Sequence, residues 1–243
     1  MGYLKIHIAG AILAFSGLSA MGGNFLDTSA APNLVTFGAR IGVNSSNVTV
    51  SDDMFDLWNK NSWGTGFDLG VVADINIRNY IAIQPGIFFQ SRSGDYTYAS
   101  RFWVPTEGED GTISNEARDM VQYGHLRSYN IYVPILASVR FNISDKVRWS
   151  VDVGPYFNIK LKSTGNGYIY DLRYEGIDKL ATLHRTETER RGFDFGFKLG
   201  TGFKFFNHYY LGVHYMAGAT DAWKTTGMGG HNKAWVFSAG YDF

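Results

Sequence analysis

From residue 34 to the end of the chain, apolar side chains alternate with polar or small ones, and this alternation constrains the fold more than any other feature. A period of two places successive side chains on opposite faces of a strand. In NLVTFGARIGVN, Val35, Phe37, Ala39, Ile41 and Val43 share one face, and Arg40, Gly42 and Asn44 share the other. The pattern recurs at 66–75, 81–90, 129–142, 149–161, 192–204, 211–217 and 235–243. Short connections near 76–79, 143–147 and 205–208 alternate with long ones near 45–64, 91–126, 163–190 and 218–232, so every long loop falls at one end. The expected fold is all-β: an eight-stranded antiparallel up-and-down transmembrane β-barrel, with short turns at one rim and long loops at the other. Segments of ten or so residues match the ~9 to 11 that cross hydrocarbon at a tilt.

A soluble lipocalin-like barrel around a ligand shares the strand count and the period. The two differ in which face is apolar. Bulky aliphatic and aromatic residues occupy one face of every strand, as lipid requires, while the other carries glycine and charges of both signs. Arg40, Asp68, Asp152, Asp194 and Lys198 form the expected lumen charge network, with Asp74, Arg140 and Lys160 on the same parity. Buried charges are costly unless paired. Phe141, Trp149, Phe203, Tyr209 and Phe243 all fall at the short-turn ends of their strands, the place of an interfacial aromatic girdle. The 29 glycines suit a wall whose backbone is closely approached.

Residues 1–22 read as a signal peptide: Lys5, an apolar run from Ile6 to Leu18, then small residues at Ser19 and Ala20. The barrel domain is expected over 34–243. The absence of cysteine excludes disulfides, thiolate metal sites and cysteine nucleophiles. Twenty-two basic and twenty-two acidic residues cancel, which gives no reason to expect nucleic acid as a partner.

The strand phrases FGARIGVN, IAIQPGIFFQ, YNIYVPILASVRF, VDVGPYFNIKL and FGFKLGTGFKF, with the ending SAGYDF, are similar to those of the outer-membrane β-barrel family that includes PorT-like proteins. The resemblance covers nearly all of 34–243 and implies a barrel in the cell outer membrane, in contact with its lipid. It also implies that Pro85 and its glycine belong to a strand. It carries over no catalytic residue, and strand phrases identify a fold better than a function.

Among the six histidines no pair has helical metal-ligand spacing, and neither a metal nor a cofactor is expected. His125, His184 and His231 lie in or beside long loops, where an outer-leaflet esterase or protease would have to assemble its site. GFDFGFKLGTG lies within a period-two strand and so lacks the strand-to-helix setting of a phosphate loop. The charged run DLRYEGIDKLATLHRTETERR reads as a solvated outer loop with helical leanings in GIDKLATL. Residues 52–63 are too apolar for a purely solvated loop. Trp58, Trp63, Trp103 and His184 are therefore the candidate partner-binding residues, on loops held by a rigid scaffold. The reading favoured is a plugged, non-catalytic barrel with a structural or accessory role, and another envelope protein as its partner. A barrel enzyme and a small porin remain as alternatives. About eight strands enclose only enough room for side chains, which weighs against the porin.

Overall fold

The computed structural model describes residues 25–50, 58–107, 111–171, 179–186, 191–222 and 230–243. The expected signal peptide, 1–22, lies outside them. Nine strands are present: β1 Val35–Val50, β2 Trp58–Arg78, β3 Ile81–Glu107, β4 Ile113–Ser144, β5 Val147–Asp171, β6 Lys179–Thr186, β7 Phe193–Phe205, β8 Tyr209–Gly218 and β9 Gly230–Asp242. All except β6 form an antiparallel ring in the order β1-β2-β3-β4-β5-β7-β8-β9, closed where β1 pairs with β9 from Gly38↔Asp242 to Val50↔Gly230. Closure removes the unpaired strand edges that lipid does not tolerate.

Two sequence expectations are corrected. The long connections are largely strand: β3 runs 27 residues, β4 32 and β5 25, and the supposed loop 91–126 is mostly a hairpin whose pairing is continuous from Phe88↔Tyr132 to Glu107↔Ile113. Beyond the apolar band the outward positions no longer face lipid and carry polar residues such as Asp95, Arg101 and His125, so the apolar alternation stops while the ladder continues. The run at 179–186 is also a strand and not helical. β7 covers the edge of β5 only as far as Ile159↔Phe193, and β6 takes up the edge beyond it, from Thr164↔Thr186 to Tyr170↔Lys179.

The face sorting follows the alternation. Ile41, Leu69, Val71, Ile87, Phe197, Leu199 and Phe237 are exposed on the outer surface, whereas Arg40, Asp68, Gln90, Asp152 and Lys198 are buried inside. Glycines make the interior room. A Cβ on Gly202 would stand 2.5 to 2.7 Å from the Tyr210 ring, and one on Gly196 2.7 Å from Tyr156.

At the short-turn rim, Phe203, Tyr209 and Phe243 are exposed, and Trp149 donates its indole N–H to Thr201 Oγ1 at 2.6 Å. Phe141 departs from the girdle expectation: it is buried, stacked at 5.0 Å on Phe25 and 5.0 Å from Trp149. The segment before β1 accounts for this. It runs along the rim, accepting from Asn142 N at the Phe25 carbonyl (2.9 Å) and from Asn79 N at the Ser29 carbonyl (3.2 Å). The Asn79 side chain holds Asp27 and Ser29 at 2.9 and 2.7 Å. The β7–β8 turn is tight enough to force Phe206 and Asn207 to positive φ, 52° and 64°.

Candidate functional site

The interior is organised in three levels. Nearest the short turns lies a chain of ion pairs contributed by β1, β9, β7, β2 and β4. Arg40 meets Asp242 at 2.6 Å, Lys204 bridges Asp242 and Asp74 (3.2 Å to the latter), and Arg140 pairs with Asp74 at 2.7 Å. Gln84 and Asn76 complete it, Gln84 donating to Asp74 at 2.6 Å and Asn76 accepting from Arg140 at 2.7 Å. The Arg40 guanidinium also lies 4.3 Å over the Tyr210 ring.

The middle level is apolar and aromatic: Val72, Phe88, Tyr132, Tyr156, Met216 and Val236 form one buried cluster, with Phe88 and Tyr132 stacked at 4.8 Å. Lys198 sits against it, its ammonium 5.3 and 5.4 Å from those two rings and 3.5 Å from the Tyr132 hydroxyl. Beside it, Asp152 accepts from Ser138 at 2.6 Å and Ser150 at 3.2 Å and lies 3.3 Å from His214 Nε2.

At the outer level, Asp68 accepts from Asn44 at 2.7 Å and Gln90 at 2.5 Å, and Gln90 in turn accepts from Arg92. Asp194 accepts from Thr220, Asn232 and Tyr156 at 2.7, 3.1 and 3.3 Å. The interior holds a cavity of about 40 Å³ beside Arg92, Ser46 and Ser128, and one of about 20 Å³ beside Tyr132, Lys198 and His214.

The five lumen residues singled out from the sequence are therefore buried: Arg40, Asp68 and Lys198 border the smaller cavity, Asp152 lies beside it against His214, and Asp194 stands at the outer end. Among the described residues, Arg40 alone of the five carries a lysine- or arginine-to-carboxylate contact. Sequence reasoning passed over Asp242 and Lys204, which tie the short-turn end together. Their parity was readable, since Asp242 lies between the outward Tyr241 and Phe243 and Lys204 continues the row of Lys198, Gly200 and Gly202.

Of the candidate surface residues, Trp63 is 45% and Trp103 69% exposed. Trp58 and His184 have described backbone, opposite Ala99 and Asn166, but their side chains lie outside the described residues. On the sheet that β3 and β4 extend beyond the apolar band, Asp95 meets His125 Nδ1 at 2.6 Å. The register continues this row to Ser62 opposite Asp95 and to Asn166 opposite His125. No cluster of metal-ligating side chains occurs among the described residues.

A closed ring of eight strands, apolar outside and charged within, defines a transmembrane β-barrel. The chain matches the outer membrane protein beta-barrel domain family over residues 27–223 and belongs to that family. It is an outer-membrane protein. Among solved structures it is similar to Ail of Yersinia pestis, crystallised with the heparin analogue sucrose octasulfate (16% identity, TM-score 0.38, covering 86% of this chain and 99% of that one). It is also similar to Neisserial surface protein A (12%, TM-score 0.35, 85% and 95%). OprG of Pseudomonas aeruginosa is a third (10%, TM-score 0.35, 86% and 94%). No curated protein matches the sequence.

Proposed function

We propose that this protein is a plugged, non-catalytic outer-membrane scaffold whose extracellular strands bind another envelope protein, an accessory role consistent with its resemblance to PorT-like barrels. The observation that carries this reading is strand length. About 9 to 11 residues cross the hydrocarbon, and β3, β4 and β5 have 27, 32 and 25. Their surplus builds a sheet outside the membrane that the barrel does not need, with Trp103, Ile113 and Tyr123 at least half exposed on it. Binding residues concentrate on segments that a rigid scaffold holds clear of the core.

The interior supports the plug. Its middle is packed with aromatic rings, and spaces of about 20 and 40 Å³ accommodate a few waters at ~10 to 15 Å³ each. The Asp95–His125 pair does not supply a hydrolase. A nucleophile must contact the histidine, which in turn contacts the carboxylate; here the row runs Ser62, Asp95, His125, Asn166, with the carboxylate between serine and histidine.

The test replaces residues 94–126 by a two-residue turn. The shortened protein is expected to insert and to keep faster gel mobility unheated than boiled, while losing the neighbour that a photo-crosslinker at Trp63, which the replacement spares, captures in native membranes. Retention of that neighbour and of the cellular phenotype, together with their loss in a folded Lys198→Ala variant, would move the function to the interior.

A further inference from the structure

The outer face of β4 and β5 changes character abruptly at the outer edge of the apolar band. Below the edge lie Ile131, Phe157 and Ile159, with Phe89 stacked on Tyr129 at 6.1 Å. Immediately above it lie Arg127 and Lys162, both exposed. Plain alternation would send Lys162 into the lumen with Lys160, because Ile159 and Leu161 face outward. The structure prevents this with a β-bulge: Asn130 pairs with Lys160 but Tyr129 pairs with Lys162, leaving Leu161 as the extra residue. A bulge re-aims the side chains that follow it. Ser163, Gly165 and Gly167 accordingly turn to the buried side, and Lys162 turns out beside Tyr129.

Lys162 and Arg127 are thus diagonal neighbours on one face, at a spacing of ~7 to 8 Å across the strand pair, with Thr164 opposite Arg127. Neither cation has a hydrogen-bond or ion-pair partner among the described residues. Asp95, the carboxylate diagonal to Arg127 on that face, is engaged by His125 at 2.6 Å. Two unpaired cations that close bracket one tetrahedral oxyanion, and a guanidinium supplies paired donors to phosphate oxygens. Their height fixes the source of the phosphate. Aromatic rings such as Tyr129 favour the interface, so the position just above them is headgroup level.

We propose that Arg127 and Lys162 form a binding site for the phosphate of a phosphorylated lipid in the outer leaflet, whose acyl chains lie along Tyr129, Phe89 and Leu161. This site lies outside the lumen and below the extracellular sheet proposed to bind a partner.

The experiment compares nanodiscs doped with phosphatidic acid or with diacylglycerol of the same chains, counting retained lipid by native mass spectrometry. Phosphatidic acid is expected to be retained about tenfold over diacylglycerol, with the preference shrinking as salt rises. The R127Q/K162Q variant, which alters exposed side chains and is expected to keep heat-modifiable gel mobility, should lose that preference, and the charge-preserving R127K/K162R variant should keep it. Millimolar inorganic phosphate should not displace the lipid. Equal retention of the two lipids by wild type, undiminished preference in R127Q/K162Q, or full displacement by inorganic phosphate would each overturn the proposal. The 94–126 replacement spares both residues, so loss of partner binding and loss of lipid binding are separable.

Discussion

Asp242 shows how much a single side chain carries in this interior. It ends β9, and Arg40 and Lys204 both reach it from other strands, so Asp242→Asn would leave the buried Arg40 without its carboxylate and Lys204 with Asp74 alone. Breaking a buried pair by removing one partner costs about 3 to 5 kcal/mol. The expected outcome is a lower urea midpoint for loss of the fast-migrating band, with insertion intact. Asp27 sits in the opposite setting, exposed on the short-turn rim. Hydrogen bonds from the Ser29 side chain and backbone, and then from Asn79, hold its carboxyl below the usual carboxylate range. A depressed value means that the contribution is present above the ordinary carboxylate pKa and is lost as pH falls through the folded value. Amide exchange at Asn79 and Asn142 should therefore accelerate in wild type as pH drops below about 4, after correction for the intrinsic rate. In Asp27→Asn that acceleration should be absent.

At the scale of elements, legibility divided along the membrane boundary. Within the bilayer one face meets lipid and the other a packed lumen, so each ring strand announced itself by alternation, and even Pro85 did not interrupt β3. Outside the bilayer, residues 113–115 are exposed at every position, and at 162–167 the buried face carries only Ser163, Gly165 and Gly167, so both stretches read as loops although the ladder continues through them. β6 was hidden for a related reason. Its strand conformation comes from the uncovered edge of β5, a tertiary partner that overrides the helical leaning of KLATL. The prediction belongs to this edge: deleting residues 179–186 should preserve the barrel and its gel shift, because ring pairing between β5 and β7 begins at Ile159↔Phe193. Loss of the fast-migrating form on that deletion would show β6 to be part of the fold's foundation.

For the whole molecule, the ring and the three interior levels together predict an insulating barrel. Reconstituted protein should show no conductance steps in a planar bilayer. Removing the middle level by Phe88→Ala, Tyr132→Ala and Tyr156→Ala together should open measurable conductance, since those three rings are the largest side chains of the buried cluster that fills the middle of the lumen. Steps in wild type of similar size to those of the triple variant would contradict the plug.

By itself, the sequence determined the fold class, the strands that cross the membrane and the parity of the lumen charges, because a period of two between two different environments leaves only one sorting of faces. Tertiary structure alone decided which charges meet. Asp242, Lys204, Asp74, Arg140 and Arg40 come from five strands, and their contacts depend on the stagger and closure of the ring, which no single strand encodes. It also decided where alternation breaks. Leu161 and Lys162 look like ordinary members of an alternating strand, and only the pairing of Tyr129 with Lys162 shows that a bulge turns the lysine out of the lumen to the outer face.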